Sequence, residues 1–290
     1  MIQNKQFLGE EADLGPEKRI AILSAPLASS VSWQGGTEFG PQAIIDASPA
    51  LEVFDDELHA ETVRLGIVTR QIPDYSGMST AEVCRDIEAA VAAELAGGCL
   101  PVLLGGEHTV TVPAAKACLA RYPDLHVVQI DAHLDLRDRY EGNPESHACV
   151  MRRLAELGIP FSQVGIRSFS KEEIELVRAK GWQPFFMQRI RSEADWITRL
   201  CAELSGPVYL TFDVDGLDPS IMPATGTPEP DGLLWAETVA LLRNISERQP
   251  IVAMDFVEFS PRPGAEHAAF TLAKLIYRTL GYIYRKSLQE

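Results

Sequence analysis

The chain has 290 residues, 46% of them apolar, with 41 acids against 26 bases and a formal net charge of −15. That length buries a sizeable core, as one α/β domain or two smaller ones. The acidic balance excludes the basic footprint that nucleic-acid backbones require, and its field favours cationic substrates and metal ions.

Residues 1–17 are polar and read as an extended N-terminal arm ahead of a single domain over 18–290. They carry no basic leader with an apolar run and cleavage site, and no later stretch is apolar enough for a membrane span. Neither a signal peptide nor a membrane partner is expected, and cytoplasm is the expected compartment. Short apolar runs then recur at Ile20–Ser24, Arg64–Val68, Leu100–Leu104, His126–Ile130, Gln163–Ile166, Val208–Phe212 and Ile251–Phe256. Most do not alternate polar with apolar, which marks strands covered on both faces, as in a parallel sheet. Helical patterns lie between them. Ser79 and Glu82 form a capping box for a helix to about residue 96, ended by Gly97-Gly98. Ser170 and Glu173 repeat the device, and further helices are expected over 109–121, 147–157, 192–204, 231–246 and 265–283.

Strand followed by helix, repeated, gives βαβ units in a three-layer α/β/α fold with a parallel sheet. A (β/α)8 barrel has the same local pattern. Either architecture binds ligands beyond the C-terminal ends of its strands. The five cysteines, Cys84, Cys99, Cys118, Cys149 and Cys201, contain no CxxC pair, so neither a disulfide scaffold nor a thiolate zinc site is indicated.

Acids and histidines collect at those strand ends. His108 follows Gly105-Gly106, Asp131, His133 and Asp135 stand in the pattern DxHxD, and Asp213 and Asp215 in DxD. Residues i and i+2 of a strand share a face, so each set points one way as its strand ends. Alone, each acid reads equally well as a cap or a surface residue. Together they are too many charged groups for a core to bury without a counter-charge. Two divalent metals would supply it, held by bridging aspartates roughly 3.5–4 Å apart. Oxygen ligands with two imidazoles and no thiolate suit manganese, with iron, cobalt, nickel and zinc left open. His147, just before a helix, reads alone as a cap or surface residue, and His126, inside a strand, as core.

With these segments, Gly105–His108, Asp131–Asp135, Ser146-His147, Phe212–Pro219, Thr225–Glu229 and Asp255–Glu258, the chain resembles the ureohydrolase family of arginases and agmatinases over about residues 20 to 285. The resemblance implies a mostly parallel eight-stranded sheet, trimeric or hexameric homo-oligomers and two manganese ions per subunit. One ion would be held by His108, Asp131, Asp135 and Asp213, the other by His133, Asp131, Asp213 and Asp215. It also implies that Glu258 grips a guanidinium, that Thr227 adds a hydroxyl contact, and that His147 shuttles protons. Asp135 would then pass the nucleophile's proton to the leaving amine.

The segment Tyr140–His147 is expected at the pocket rim, with Glu141 and Asn143 as substrate contacts and no evident carboxylate clamp. The expected substrate is a small guanidino cation. Agmatine, hydrolysed to putrescine and urea, is the first reading. N1-aminopropylagmatine is the alternative, favoured by Glu38 where the family commonly has a basic residue. Guanidinobutyrate, guanidine and arginine rank lower. From a different class, zinc-dependent deacetylases resemble this fold but use one metal with fewer acidic ligands.

Overall fold

The computed structural model describes residues 5–15, 17–30 and 32–288. Among them the strands run, in chain order, β1 Ile20–Ala25, β2 Phe54–Asp55, β3 Ala60–Glu61, β4 Ile67–Thr69, β5 Leu100–Gly105, β6 His126–Ile130, β7 Phe161–Ile166, β8 Phe185–Phe186, β9 Val208–Asp213 and β10 Ile251–Val257. β2 and β3 form a separate antiparallel ribbon. The other eight make one open sheet in the order β4-β1-β5-β10-β9-β6-β7-β8, every neighbouring pair parallel. An open sheet with β4 and β8 at its edges settles the choice against a barrel.

The non-alternating strands are apolar on both sides because both sides are covered. Helices α1 (Gly40–Ala47), α6 (Met187–Ser192), α7 (Trp196–Glu203), α8 (Trp235–Arg248) and α9 (His267–Ile283) pack one face; α2 (Thr80–Ala96), α3 (Thr111–Arg121), α4 (Val150–Glu156) and α5 (Lys171–Lys180) pack the other. Within β9, Leu210 and Phe212 enter the first core while Tyr209 enters the second. Both capping boxes form, with the N–H of Ser79 donating to Glu82 at 2.8 Å and that of Ser170 to Glu173 at 2.7 Å.

Several expectations shift. The run from Arg64 is extended only from Ile67, because Thr62–Leu65 forms a 3-10 turn and Gly66 adopts φ +78. A Cβ at Gly66 would fall 1.4 Å from the Glu17 carbonyl oxygen, so only glycine fits there. The eighth strand, β8, has two residues, too few to register as an apolar run. The helix expected over 192–204 is instead the pair α6 and α7, and α1 had no counterpart among the expected helices. The expected arm is not extended over its described part. Phe7 and Leu8 are buried, their N–H groups donate to Thr69 Oγ1 and Ser48 Oγ at 2.8 Å each, and Gly9–Leu14 is a 3-10 helix. Residues 1–4 and 16 of that arm lie outside the described residues.

Topology places the strand ends that matter. β5 and β6 follow one another among the strands of the main sheet yet stand three places apart, and β9 and β10 later fill the gap between them. The C-terminal ends of β5, β10, β9 and β6 therefore lie side by side at the middle of the sheet, where a ligand crevice opens in doubly wound folds. No helix among the described residues is long and apolar enough to cross a membrane.

Candidate active site

Each of these four strands delivers a side chain at its end. Asp213 is the last residue of β9 and pairs in register with Val257, and Glu258 follows immediately. Asp131 directly follows β6, and His108 begins the short turn after β5. The turn is tight because the N–H of Gly106 donates to the Ala25 carbonyl and that of Glu107 to the Leu27 carbonyl, both at 2.8 Å. A Cβ on Gly106 would sit 2.0 Å from the Leu27 oxygen.

All six expected metal ligands converge. His108 Nδ1 lies 3.2 Å from Asp131 Oδ2, 3.1 Å from Asp135 Oδ2 and 3.4 Å from Asp213 Oδ2. His133 Nδ1 lies 3.0 Å from Asp215 Oδ2 and 3.5 Å from Asp131 Oδ1. Two groups, His108/Asp131/Asp213 and Asp131/His133/Asp215, each bring their ligand atoms within 4.8 Å of one another. Asp131 belongs to both and turns a different oxygen toward each histidine. Asp213 falls in the first group only.

Hydrogen bonding fixes which way His108 faces. Asp255 Oδ2 accepts the hydroxyls of Tyr209 at 2.5 Å and Thr111 at 2.8 Å. Thr111 has thus spent its proton, so over the 3.2 Å contact with Thr211 it must accept. Thr211 has then spent its own proton and must accept from His108 Nε2–H at 2.8 Å. His108 is left with a bare Nδ1 lone pair facing three carboxylates, buried and without a hydrogen bond among the described residues. Lone pairs facing lone pairs need a cation between them, and these donors fit a divalent metal. The same carboxylates favour positive charge at this spot. Burial opposes charge on His108, yet the surrounding carboxylates hold its pKa well above the ordinary histidine value. Burial and the Asp131 charge push Asp135 up to about 7, and burial with Asp215 and Asp131 raises Asp213 well above the carboxylate range.

A cavity of about 250 Å³ opens over the cluster. Glu258 lines it with φ +63, and Asp135 with φ +51. Such left-handed non-glycine residues cost about 1–3 kcal/mol each and collect at functional sites. Glu258 Oε1 accepts the His108 N–H at 2.7 Å, and burial pushes its carboxyl up to about 8. Thr227 lines the cavity and donates to Asp215 Oδ2 at 3.3 Å. The loop that carries Thr227 is ordered by Arg167, whose Nη2 donates to the carbonyls of Asp215 and Glu229 at 2.7 Å each.

His147 reaches the cavity wall, where burial lowers its pKa. Glu141 and Asn143, expected as substrate contacts, do not line the cavity. They build the Tyr140–Asn143 turn instead: Glu141 sits at φ +51, and Asn143 Oδ1 accepts the Glu145 N–H at 2.9 Å. Trp33, Arg137, Tyr140, Phe169 and Glu173 also line the cavity. Arg137, the one lysine or arginine on the cavity wall among the described residues, lies over the Tyr140 ring and 3.8 Å from Glu173. Sequence reasoning passed over Thr111, Thr211 and Asp255 as a supporting chain.

A model of the arginase family matches residues 18–281 of the chain. An N(1)-aminopropylagmatine ureohydrolase from Synechocystis sp. is 36% identical over 96% of this chain and 94% of its own length. A protein of the same name from Thermus thermophilus is 38% identical, over 94% and 93%. Among solved structures, the agmatine ureohydrolase of Thermoplasma volcanium superposes with a TM-score of 0.88 at 29% identity, covering 99% of this chain and 96% of that one.

Proposed function

The chain belongs to the arginase family of ureohydrolases, hydrolases that act on guanidino compounds, and we propose that its substrate is N1-aminopropylagmatine, cleaved by water to spermidine and urea. The observation that carries a hydrolytic reading is the pair of histidine–carboxylate groups sharing Asp131 at the floor of an acidic cavity. The choice of substrate rests on the relatives of that name and on the cavity's walls. One arginine stands there against the carboxylates of Glu107, Asp135, Glu173, Asp213, Asp215 and Glu258. That arginine already faces Tyr140 and Glu173, which leaves no free clamp among the described residues for the carboxylate of arginine or guanidinobutyrate. Trp33, Tyr140 and Phe169 give an alkylammonium chain aromatic faces to lie against. Agmatine is the second reading, on the likeness to the Thermoplasma volcanium enzyme. Family membership favours guanidino hydrolysis over the deacetylase alternative.

In this mechanism His108, Asp131, Asp135 and Asp213 would hold one manganese ion and His133, Asp131 and Asp215 a second, to which the family resemblance adds Asp213. When bound, such a pair lowers the pKa of a shared water toward neutrality and so supplies hydroxide. Glu258 receives the planar guanidinium through charge-assisted hydrogen bonds. Its carboxyl is raised by burial, and the substrate's positive charge favours the ionised form at the moment of binding. Asp135 takes the nucleophile's proton and gives it to the departing amine. His147 carries the water's other proton, the one lost when hydroxide forms, to solvent.

Urea release by manganese-loaded protein tests this on N1-aminopropylagmatine, agmatine, arginine, guanidinobutyrate and guanidine. The expected order of kcat/KM places N1-aminopropylagmatine first. A higher value for agmatine makes the second reading correct, and no urea from any of the five refutes the assignment.

A further inference from the structure

Glu107 is 1% exposed, stands beside a proposed metal ligand, and has no part in the mechanism above. Its carboxylate is nonetheless fully used. It accepts the Ser29 N–H at 2.7 Å, the Ser29 hydroxyl at 2.9 Å and the Ser30 N–H at 2.6 Å. Charge-assisted bonds of this length are about twice as strong as neutral ones. All three donors belong to the loop that follows β1, and that loop serves His147. Ser30 Oγ lies 3.0 Å from His147 Nδ1 and also accepts the His147 backbone N–H at 3.2 Å, while Ser32 Oγ lies 2.7 Å from Nε2; Ser146 Oγ, outside this loop, makes a longer contact of 3.3 Å with Nδ1.

The chemistry of a hydroxyl makes this pairing informative. Serine either donates or accepts, by rotating one proton. With neutral imidazole, one serine donates to the bare nitrogen and the other accepts from the N–H. With imidazolium, both accept. His147 can therefore gain or lose a proton at either nitrogen with its ring held still, which is what a shuttle between site and solvent requires. A ring held by a single fixed acceptor would instead favour one tautomer.

We infer that Glu107 is a positioning residue for proton transfer. It pins Ser29 and Ser30, and through them the pair of serine hydroxyls that hold His147 in its working orientation. The inference rests on the reading of His147 as the proton carrier.

The test uses the manganese-loaded enzyme at equal metal content in three variants: Glu107→Gln, the double variant Ser30→Ala/Ser32→Ala, and His147→Ala. The readouts are kcat, KM and the dependence of rate on added imidazole, a small diffusible proton carrier. His147→Ala should lose about 10²-fold in kcat, the scale of a missing acid–base group, and regain rate as imidazole is added. The double variant and Glu107→Gln should each lose about tenfold or more in kcat with KM within about twofold, since a small misplacement alone costs that much. Their rates should also rise with imidazole, while the parent enzyme's should not. Full activity in His147→Ala would overturn the shuttle and this inference together. A buffer-rescued His147→Ala, beside serine and Glu107 variants that are either fully active or impaired without rescue, would overturn the inference alone.

Discussion

The hydrogen-bond chain behind His108 is open to a direct test by Thr211→Val. Valine has nearly the shape of threonine, and Thr211 is fully buried, so the substitution removes a hydroxyl and little else. His108 Nε2–H then loses its acceptor, and Thr111 loses the proton it receives. To bind metal through Nδ1, the imidazole must keep its proton on Nε2, now buried without a partner. An unsatisfied buried donor costs about 1–3 kcal/mol. The alternative tautomer avoids that cost but puts a proton on Nδ1, where the metal would bind. Either way manganese affinity should fall by about 10- to 100-fold, the range seen when a partner behind a metal-bound histidine is lost. In free energy this is about 1.4–2.7 kcal/mol.

Titration calorimetry with manganese reads the affinity directly. The thermal stabilisation that saturating manganese gives should shrink by the same free energy at fixed metal concentration, a readout independent of turnover. Thr111→Val should have a smaller effect, because Thr211 would remain able to accept from Nε2–H. If Thr211→Val binds manganese as tightly as the parent, the tautomer argument is wrong. If Thr111→Val is the more damaging of the two, the deduced direction of the chain is wrong.

Glu258→Gln should keep its metal, as measured by elemental analysis, and lose about 10²-fold in kcat/KM for urea release, the scale of a missing catalytic electrostatic contact; normal kinetics would remove Glu258 from substrate binding. His126 lies 3.1 Å from Ser162, and burial lowers its pKa from 6.5 to about 4. The unfolded chain therefore binds the proton first, and the stability that neutral His126 contributes is complete above pH 6.5 and lost as pH falls toward 4. The loss is about 3 kcal/mol at most, and denaturant titrations at pH 7 and pH 4.5 should show it shrinking in His126→Gln; an identical pH dependence in the two proteins refutes it. Gly106→Ala should destabilise the fold by about 1–3 kcal/mol or more, because the new methyl group meets the Leu27 carbonyl oxygen. An unchanged melting temperature would show that this turn relaxes freely.

The fold was legible wherever the chain buries long apolar runs. β1, β5, β6, β7, β9 and β10 lie where the composition of the runs places them, since a strand covered on both faces has no polar side to disguise it. What escaped was short or was set by distant contacts. β8 has two residues, and β4 begins late because Gly66 must clear the Glu17 carbonyl. Phe7 and Leu8 were lost among polar neighbours, though the backbone N–H of each donates to a side-chain hydroxyl far away in sequence, at separations of 62 and 40.

The converging acids and histidines were legible because carboxylates and imidazoles at i, i+2 spacing end apolar strands. Their support was harder to see, yet it left a trace in the same strands. The register pairs Asp255 with Thr211, Thr211 with Gln129, and Gln129 with Gln163. These four form one polar row across β10, β9, β6 and β7, a single step behind the strand tips. Thr211 stands two residues before Asp213, and Gln129 two before Asp131, so each shares a face with the acid ahead of it. The row is used as well as aligned. Gln129 Nε2 donates to Asp131 Oδ2 at 2.6 Å, Gln163 Nε2 donates to Gln129 Oε1 at 2.6 Å, and Asp255 sets the direction of the threonine chain to His108. Read one strand at a time, each of these residues is a lone polar group in an apolar run. Only the strand order, with β9 and β10 inserted between β5 and β6, turns them into a supporting row, and that order depends on contacts between segments more than a hundred residues apart. A buried polar row of this kind is costly unless every member is paired. Each member here makes at least one hydrogen bond, although Gln163 Oε1 and Asp255 Oδ1 have none among the described residues, and the bonds that are made link the row to Asp131 and His108 at the tips.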